Sequence, residues 1–143
     1  MKIPIPANKV MSGTFGTVQV NGAEIAEISS FQAKVAASKE DIQMAGCMAV
    51  DSKITNTKGT GSMTIKKVYS RFSDYMEKIQ AGQDVRLCII GTLADPDAYG
   101  AERVACYNCS LDEHTFADWA VGKHTEITVN FTFTHAEYLD KVG

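Results

Sequence analysis

From Thr125 to Thr134 apolar and polar side chains alternate without a slip for ten positions, TEITVNFTFT. A period of two is the signature of a strand whose successive side chains point to opposite faces. One face carries Ile127, Val129, Phe131 and Phe133; the other carries Glu126, Thr128, Asn130, Thr132 and Thr134. The first is a core face. The second is a row of hydroxyls, an amide and a carboxylate, and alternation alone does not say what it looks out on.

Other segments repeat the strand signal. Thr14–Val20 is followed by Asn21-Gly22, a strong two-residue hairpin signal. That turn pairs Val20 with Ala23 and Val18 with Ile25, putting all four on one face. The pattern continues to about Ser38, with a bend at Ser29-Ser30. Strands are also predicted over 62–68, 85–93, 102–109 and, with a turn, 111–122. Val85–Leu93 is apolar on both faces and reads as a buried central strand. One helix is predicted over 70–81, because Phe72, Tyr75, Met76 and Ile79 form a single stripe. Ser70 is its expected N-cap and Gly82 its expected stop. Residues 39–61 lack sustained periodicity and read as a long loop with a short strand near Val50–Ile54. Residues 135–143 read as a polar tail. The expected fold is mainly β: one domain spanning 1–143, a β-sandwich or small barrel of about seven or eight strands flanked by the helix.

The chain offers little chemistry. A net charge of −3 gives no basic footprint for gripping nucleic acid, and no apolar run approaches membrane-spanning length. Phosphate-loop, zinc-protease and nucleophile-elbow motifs are absent from the sequence. Cys106 and Cys109 have the spacing of a metal or redox pair. On a strand, however, residues three apart point to opposite faces, so these cysteines are expected to act as small buried hydrophobes. Cys88 with His124 is the best nucleophile pairing on offer, and nothing in their spacing favours it. Trp119 is expected to be a core or interface anchor. No enzyme activity, catalytic residue, cofactor or metal is expected. That leaves assembly, or alternatively a soluble β-barrel module binding a small ligand or glycan.

Several segments taken in order resemble the tail tube proteins of contractile-tailed phages and phage-derived contractile bacteriocins, the XkdM-like family. They are Val10-Met-Ser-Gly-Thr-Phe-Gly16, Val20-Asn-Gly22 with Ala26, Phe31-Gln-Ala33, Lys39-Glu-Asp41 with Gly46, Gly59-Thr-Gly61, Asp95-Pro-Asp-Ala-Tyr-Gly-Ala-Glu-Arg103, Ala117-Asp-Trp119 and Phe131-Thr-Phe133. Asn130 stands where the family's pattern has a proline. The resemblance implies a virion tail or bacteriocin component assembled in the cytoplasm of a bacterial host. Six copies form a ring, and rings stack into a hollow tube inside a contractile sheath. The tube pierces the host envelope and, in a phage, conducts DNA. Implied partners are other copies of the chain, the sheath protein, baseplate initiator and tail terminator proteins, and a tape measure protein in the lumen.

Under that resemblance three sets of residues gain expected roles. Residues 39–61, through Ile42, Met44, Met48, Val50 and Ile54, pack on the adjacent ring, and the proline-marked extended arm, residues 1–12, lies along a neighbour. Glu126, Thr128, Asn130, Thr132 and Thr134 face the lumen, where a wetted, non-basic lining would not hold phosphate; a neighbouring subunit or the exterior are the alternatives. Arg71, Asp74, Glu77 and Lys78, opposite the helix stripe, face the sheath or simply solvent.

Overall fold

Asn21 and Gly22 adopt φ of +50° and +86°, the left-handed pair that a tight two-residue hairpin requires. In the computed structural model, which describes residues 2–143, this turn joins β1 (Gly16–Val20) to β2 (Ala23–Glu24) with Val20 opposite Ala23, as predicted. Val18, Val20 and Ile25 are buried, while Ala23 stays exposed at the rim. The Asn21 side chain fastens the turn to its surroundings. Its amide nitrogen donates to Tyr75 Oη at 3.0 Å, and its oxygen accepts from the Cys88 amide at 2.9 Å.

The other elements are β3 (Ile28–Ile42), β4 (Asp51–Lys66), α1 (Ser73–Gln80), β5 (Leu87–Leu93), β6 (Glu102–Glu113), β7 (Glu126–Phe133) and β8 (His135–Asp140). All pairings are antiparallel. The strand path is β2-β1-β5-β6-β7-β4-β3, with β8 added to β6. β6 belongs to both halves of this path. Its first part lies between β5 and β8, and residues 110–113 pair with β7. Asn108 sits between the two parts at φ +57°, a left-handed kink of the kind that lets a strand change direction. The halves therefore face each other, and Phe31 of β3 lies against Gly91 of β5. Met63, Ile89, Cys106, Cys109, Val129 and Phe131 fill the space between and are fully buried.

The structure redraws several local expectations. The strand expected over 111–122 ends with β6 at Glu113, and a loop follows to β7. Residues 39–61 are not a loop: they are the outer part of a long β3–β4 ladder, leaving only 43–50 as its tip. The tail is strand β8 over 135–140. The helix begins three residues later than predicted, and its N-cap is Phe72 at φ +64° with no side-chain cap, so Ser70 does not cap it. Its end is as expected: Gly82 at φ +87° donates to Ile79, and Gln83 donates to Lys78, the Schellman pattern. Finally, the sulfurs of Cys106 and Cys109 do not diverge. Leu87 pairs with Cys109 and Ile89 with Cys106, so β6 carries one extra residue there and both thiols turn inward. Burial pushes them up to about 11 and about 12, so they stay protonated at neutral pH.

The anchor at the base of β3 is ionic. Arg71 grips Glu27 with two guanidinium nitrogens, the second at 3.1 Å, and the Glu27 side chain is only 5% exposed. The hydrogen bond from Arg71 holds the Glu27 carboxyl below its ordinary value. Its stabilisation is therefore complete above the unfolded value of about 4.3 and fades as pH falls through the lowered folded value. Glu27→Gln is expected to cost about 1–2 kcal/mol at pH 7, discounted for the partial exposure of Arg71, with the gap to wild type closing in acid. Urea melts at pH 7 and pH 3 measure both.

Candidate assembly surfaces

β4 has 16 residues but pairs with β7 only from Gly59 to Lys66. Its first half, residues 51–58, pairs with β3 alone. At about 3.3 Å per residue the two-stranded ladder runs on roughly 25 Å past the sheet, with exposed side chains throughout. Ile42, Met44, Met48, Val50 and Ile54 all lie exposed on this overhang, Met48 at 97%. A lone two-stranded hairpin is marginal in water, and an apolar tip on such a hairpin needs a cover. The five predicted assembly residues are thus brought together on one projecting element.

The polar row of β7 is one stripe of a broader face. Ile127, Val129, Phe131 and Phe133 are buried while Glu126 and Thr128 are exposed and Asn130 and Thr132 half-buried. Opposite Thr128, Asn130 and Thr132 stand Thr64, Ser62 and Thr60 of β4, and opposite those stand Ser30, Gln32 and Lys34 of β3. The hydroxyls of Thr64 and Thr128 approach to 3.4 Å, and Thr132 donates to Asp112 at 3.4 Å. Thr134 lies past the strand end, in the bend to β8, where its hydroxyl accepts from the Asn108 amide at 2.8 Å. Sequence reasoning found the β7 stripe but missed the β3 and β4 contributions, because residues 59–62, Gly-Thr-Gly-Ser, alternate glycine with small polar residues and show no apolar signal. A register of paired strands was needed.

Several strand margins stay open among the described residues: β2 pairs only with β1 and β8 only with β6, and two further margins border the polar sheet. β3 pairs with β4 on one side only, and residues 110–113 of β6 pair with β7 on one side only. Beside β3, between the two halves, runs a cleft of about 970 Å³ lined by Phe31, Val35, Leu93, Val104 and Tyr138 among others.

The helix residues divide. Asp74, Glu77 and Lys78 are exposed on α1, while Tyr75, Met76 and Ile79 are half-buried, Tyr75 and Met76 packing against the core. Arg71 precedes the helix and is committed to Glu27; it is not part of an outward charged face. Trp119 is no core residue: it is 75% exposed in the 114–125 loop. That loop is tied to the start of the helix through His114, whose ring packs edge-on against Phe72 and Phe116. Burial holds the His114 imidazole below its ordinary value, so it is neutral at pH 7. The arm carries a short 3-10 turn at Ala7–Lys9 and so is not extended throughout; Met1 lies outside the described residues. The Ser12 amide donates to the buried Asp95 carboxylate at 2.9 Å.

The sequence and the fold as a whole resemble those of known proteins. A family model described as phage tail tube protein covers residues 4–140. The chain is 31% identical over 145 residues to the phage-like element PBSX protein XkdM of Bacillus subtilis (strain 168), covering 97% of both chains. Its fold is similar to the sheath/tube terminator of the extracellular contractile injection system PVC, with a TM-score of 0.73 at 10% identity over 97% of this chain and 99% of that one. It is also similar to Hcp1 from Flavobacterium johnsoniae, with a TM-score of 0.56 at 10% identity over 87% and 94%. The mainly β architecture with one helix agrees with these matches along nearly the whole length: the chain belongs to the phage tail tube protein family.

Proposed function

We propose that this protein is the repeating subunit of a tail tube. Six copies close into a ring, and rings stack into a hollow tube enclosed by a contractile sheath. The observation that carries this reading is the overhanging β3–β4 hairpin, an element that completes its apolar burial only against another molecule. The open margins of β3 and of β6 at 110–113 supply the lateral joint: each subunit's β3 edge adds to the next subunit's β6 edge. The sheet β3-β4-β7-β6 then continues around the ring, with its polar side inward. Glu126, Thr128, Asn130 and Thr132, joined by Ser62, Thr64, Gln32 and Lys34, line the bore. Lys34 and Lys66 on this face are offset by Glu126, which stands opposite Lys66, and by Asp112 beside Thr132. The tape measure protein and later DNA pass along it without being held. Asp74, Glu77 and Lys78 point outward toward the sheath. Initiator and terminator proteins cap the two ends. The role is mechanical and requires no catalysis.

Electron microscopy of the purified protein, alone and with short preformed tubes as seeds, tests this. Six-fold rings and stacks are expected. A compact monomer at every concentration and with every seed overturns the reading. The ligand-binding alternative draws on the cleft of about 970 Å³, but leaves the β3 and β6 margins and the overhang without a use. A lining test follows. Thr128→Lys with Thr132→Lys is expected to leave tubes intact while making them retain DNA, with retention falling steeply from 50 to 200 mM salt. DNA retention equal to wild type at low salt counts against an inward-facing β7.

A further inference from the structure

The two ends of the polar sheet differ in chemistry. β3 runs toward the overhang and β4 runs back, so Lys66, the start of β3, the start of β7 and the end of β6 gather at the other end. There the Lys67 amide bonds to Thr125 O at 2.9 Å, joining the segment after β4 to the 114–125 loop. Val68 and Tyr69 follow β4 at this end, and Phe116, Trp119 and Val121 lie in the loop that leaves β6 and enters β7 there; all five are exposed, Val121 at 95%.

We propose that this base end receives the overhang of a second copy in the adjacent ring. The inference rests on the tube reading above and names the surface it leaves unassigned. Stacked identical rings touch through two different patches of the same molecule, one at each end. An apolar projection at one end therefore demands an apolar acceptor at the other, and both are present. Met44 and Met48 are thioethers, which suit the aromatic edges of Tyr69, Phe116 and Trp119. Charge also matches locally: Lys39 and Lys53 lie further from the tip, Lys53 opposite Glu40, and leave the two aspartates as the charges nearest it. Asp41 and Asp51 sit on neighbouring strands near the tip, with Asp41 opposite Ser52 and Ile42 opposite Asp51. Neither meets a Lys or Arg within ion-pair distance among the described residues, and the same holds for Lys66 and Lys67 meeting an acid at the base. Asp118 and Glu126 at the base offset part of that positive charge.

Cys47 provides a native reporter, because it is an exposed free thiol within the hairpin tip. Val68→Cys and Val121→Cys each put a second exposed thiol at the base end. Oxidised tubes of at least one variant are expected to give a ladder of disulfide-linked chains on a non-reducing gel, abolished by Cys47→Ser. Well-formed tubes of both variants with no ladder overturn the proposal. In parallel, Lys67→Glu is expected to keep rings but cut tube yield at least tenfold, and Asp51→Lys added to it to restore tubes. Wild-type yield from Lys67→Glu also overturns it. If wild-type protein builds no tubes even with seeds, it is the tube reading that fails, and the gel is not the deciding result.

Discussion

Cutting the overhang away at a matched rung is expected to leave a folded subunit that builds no tubes. Val35 and Gly59 face each other across the β3–β4 ladder, so replacing residues 36–58 by Asn-Gly closes the hairpin at that rung with a favourable turn. Deleting only 43–58 would strand 36–42 without a partner, because those residues are paired strand. Every side chain from 36 to 58 is exposed, and the core contains none of them. The shortened subunit is therefore expected to keep its thermal midpoint to within a few degrees, since surface changes of this kind cost about 0.5 kcal/mol each way. Tube yield by sedimentation should fall to background. Rings should persist, because the β3 margin from 28 to 35 and the β6 margin are untouched. A milder version, Met48→Ser with Met44→Ser, should weaken stacking and raise the protein concentration needed for tubes about tenfold or more, as burial of two large side chains is lost at every ring contact. Full-length tubes from the shortened chain would sink the assignment of the hairpin to stacking.

Much of this was legible in the residues, and the exceptions have physical reasons. The β7 alternation, the Asn21-Gly22 turn and the Gly82 stop were readable because each rests on local stereochemistry that tertiary packing did not override. The long ladder was not. Residues 51–58, DSKITNTK, carry no apolar period because no core lies under them, and hydrophobic periodicity reports only strands with one wet and one dry side. β8 was hidden in the same way: HAEYLD is exposed at all but Ala136 and is held by its ladder with β6. The thiols of Cys106 and Cys109 were misplaced because the face rule assumes an unbroken strand, and the left-handed Asn108 between them breaks it. An asparagine tolerates that conformation better than most residues, which was the one available clue. Arg71 looked like part of the helix's outer face until the helix proved to start after it.

The largest stability losses are expected where β7 crosses β4. Phe131 is 1% exposed; its ring stacks on Phe31 at 6.0 Å and lies over Gly61, its partner across the ladder. Gly59 accommodates Phe133 in the same manner. The two glycines are there for room: each leaves the strand bare so that an aromatic ring can lie across it. Phe131→Ala should cost about 3–5 kcal/mol through lost burial and an unfilled cavity, a fall of roughly 10 °C or more in midpoint for a chain of this size. Gly61→Val should cost about 3 kcal/mol or more for the opposite reason. A Cβ there meets the Phe131 ring and comes to 2.6 Å from the Gln32 carbonyl oxygen. The ring can rotate away, but the backbone of β3 cannot move without breaking its ladder. Thr128→Ala, three residues back along β7 on the polar side, should change stability by about 0.5 kcal/mol at most. Both core variants should also lose tubes at assembly temperature, since the polar face keeps its register only while the aromatic side holds β4 against β7. Gly61→Val melting with wild type would mean that β4 and β7 do not pair in this register, and the placement of Ser62 and Thr64 beside Asn130 and Thr128 would go with it.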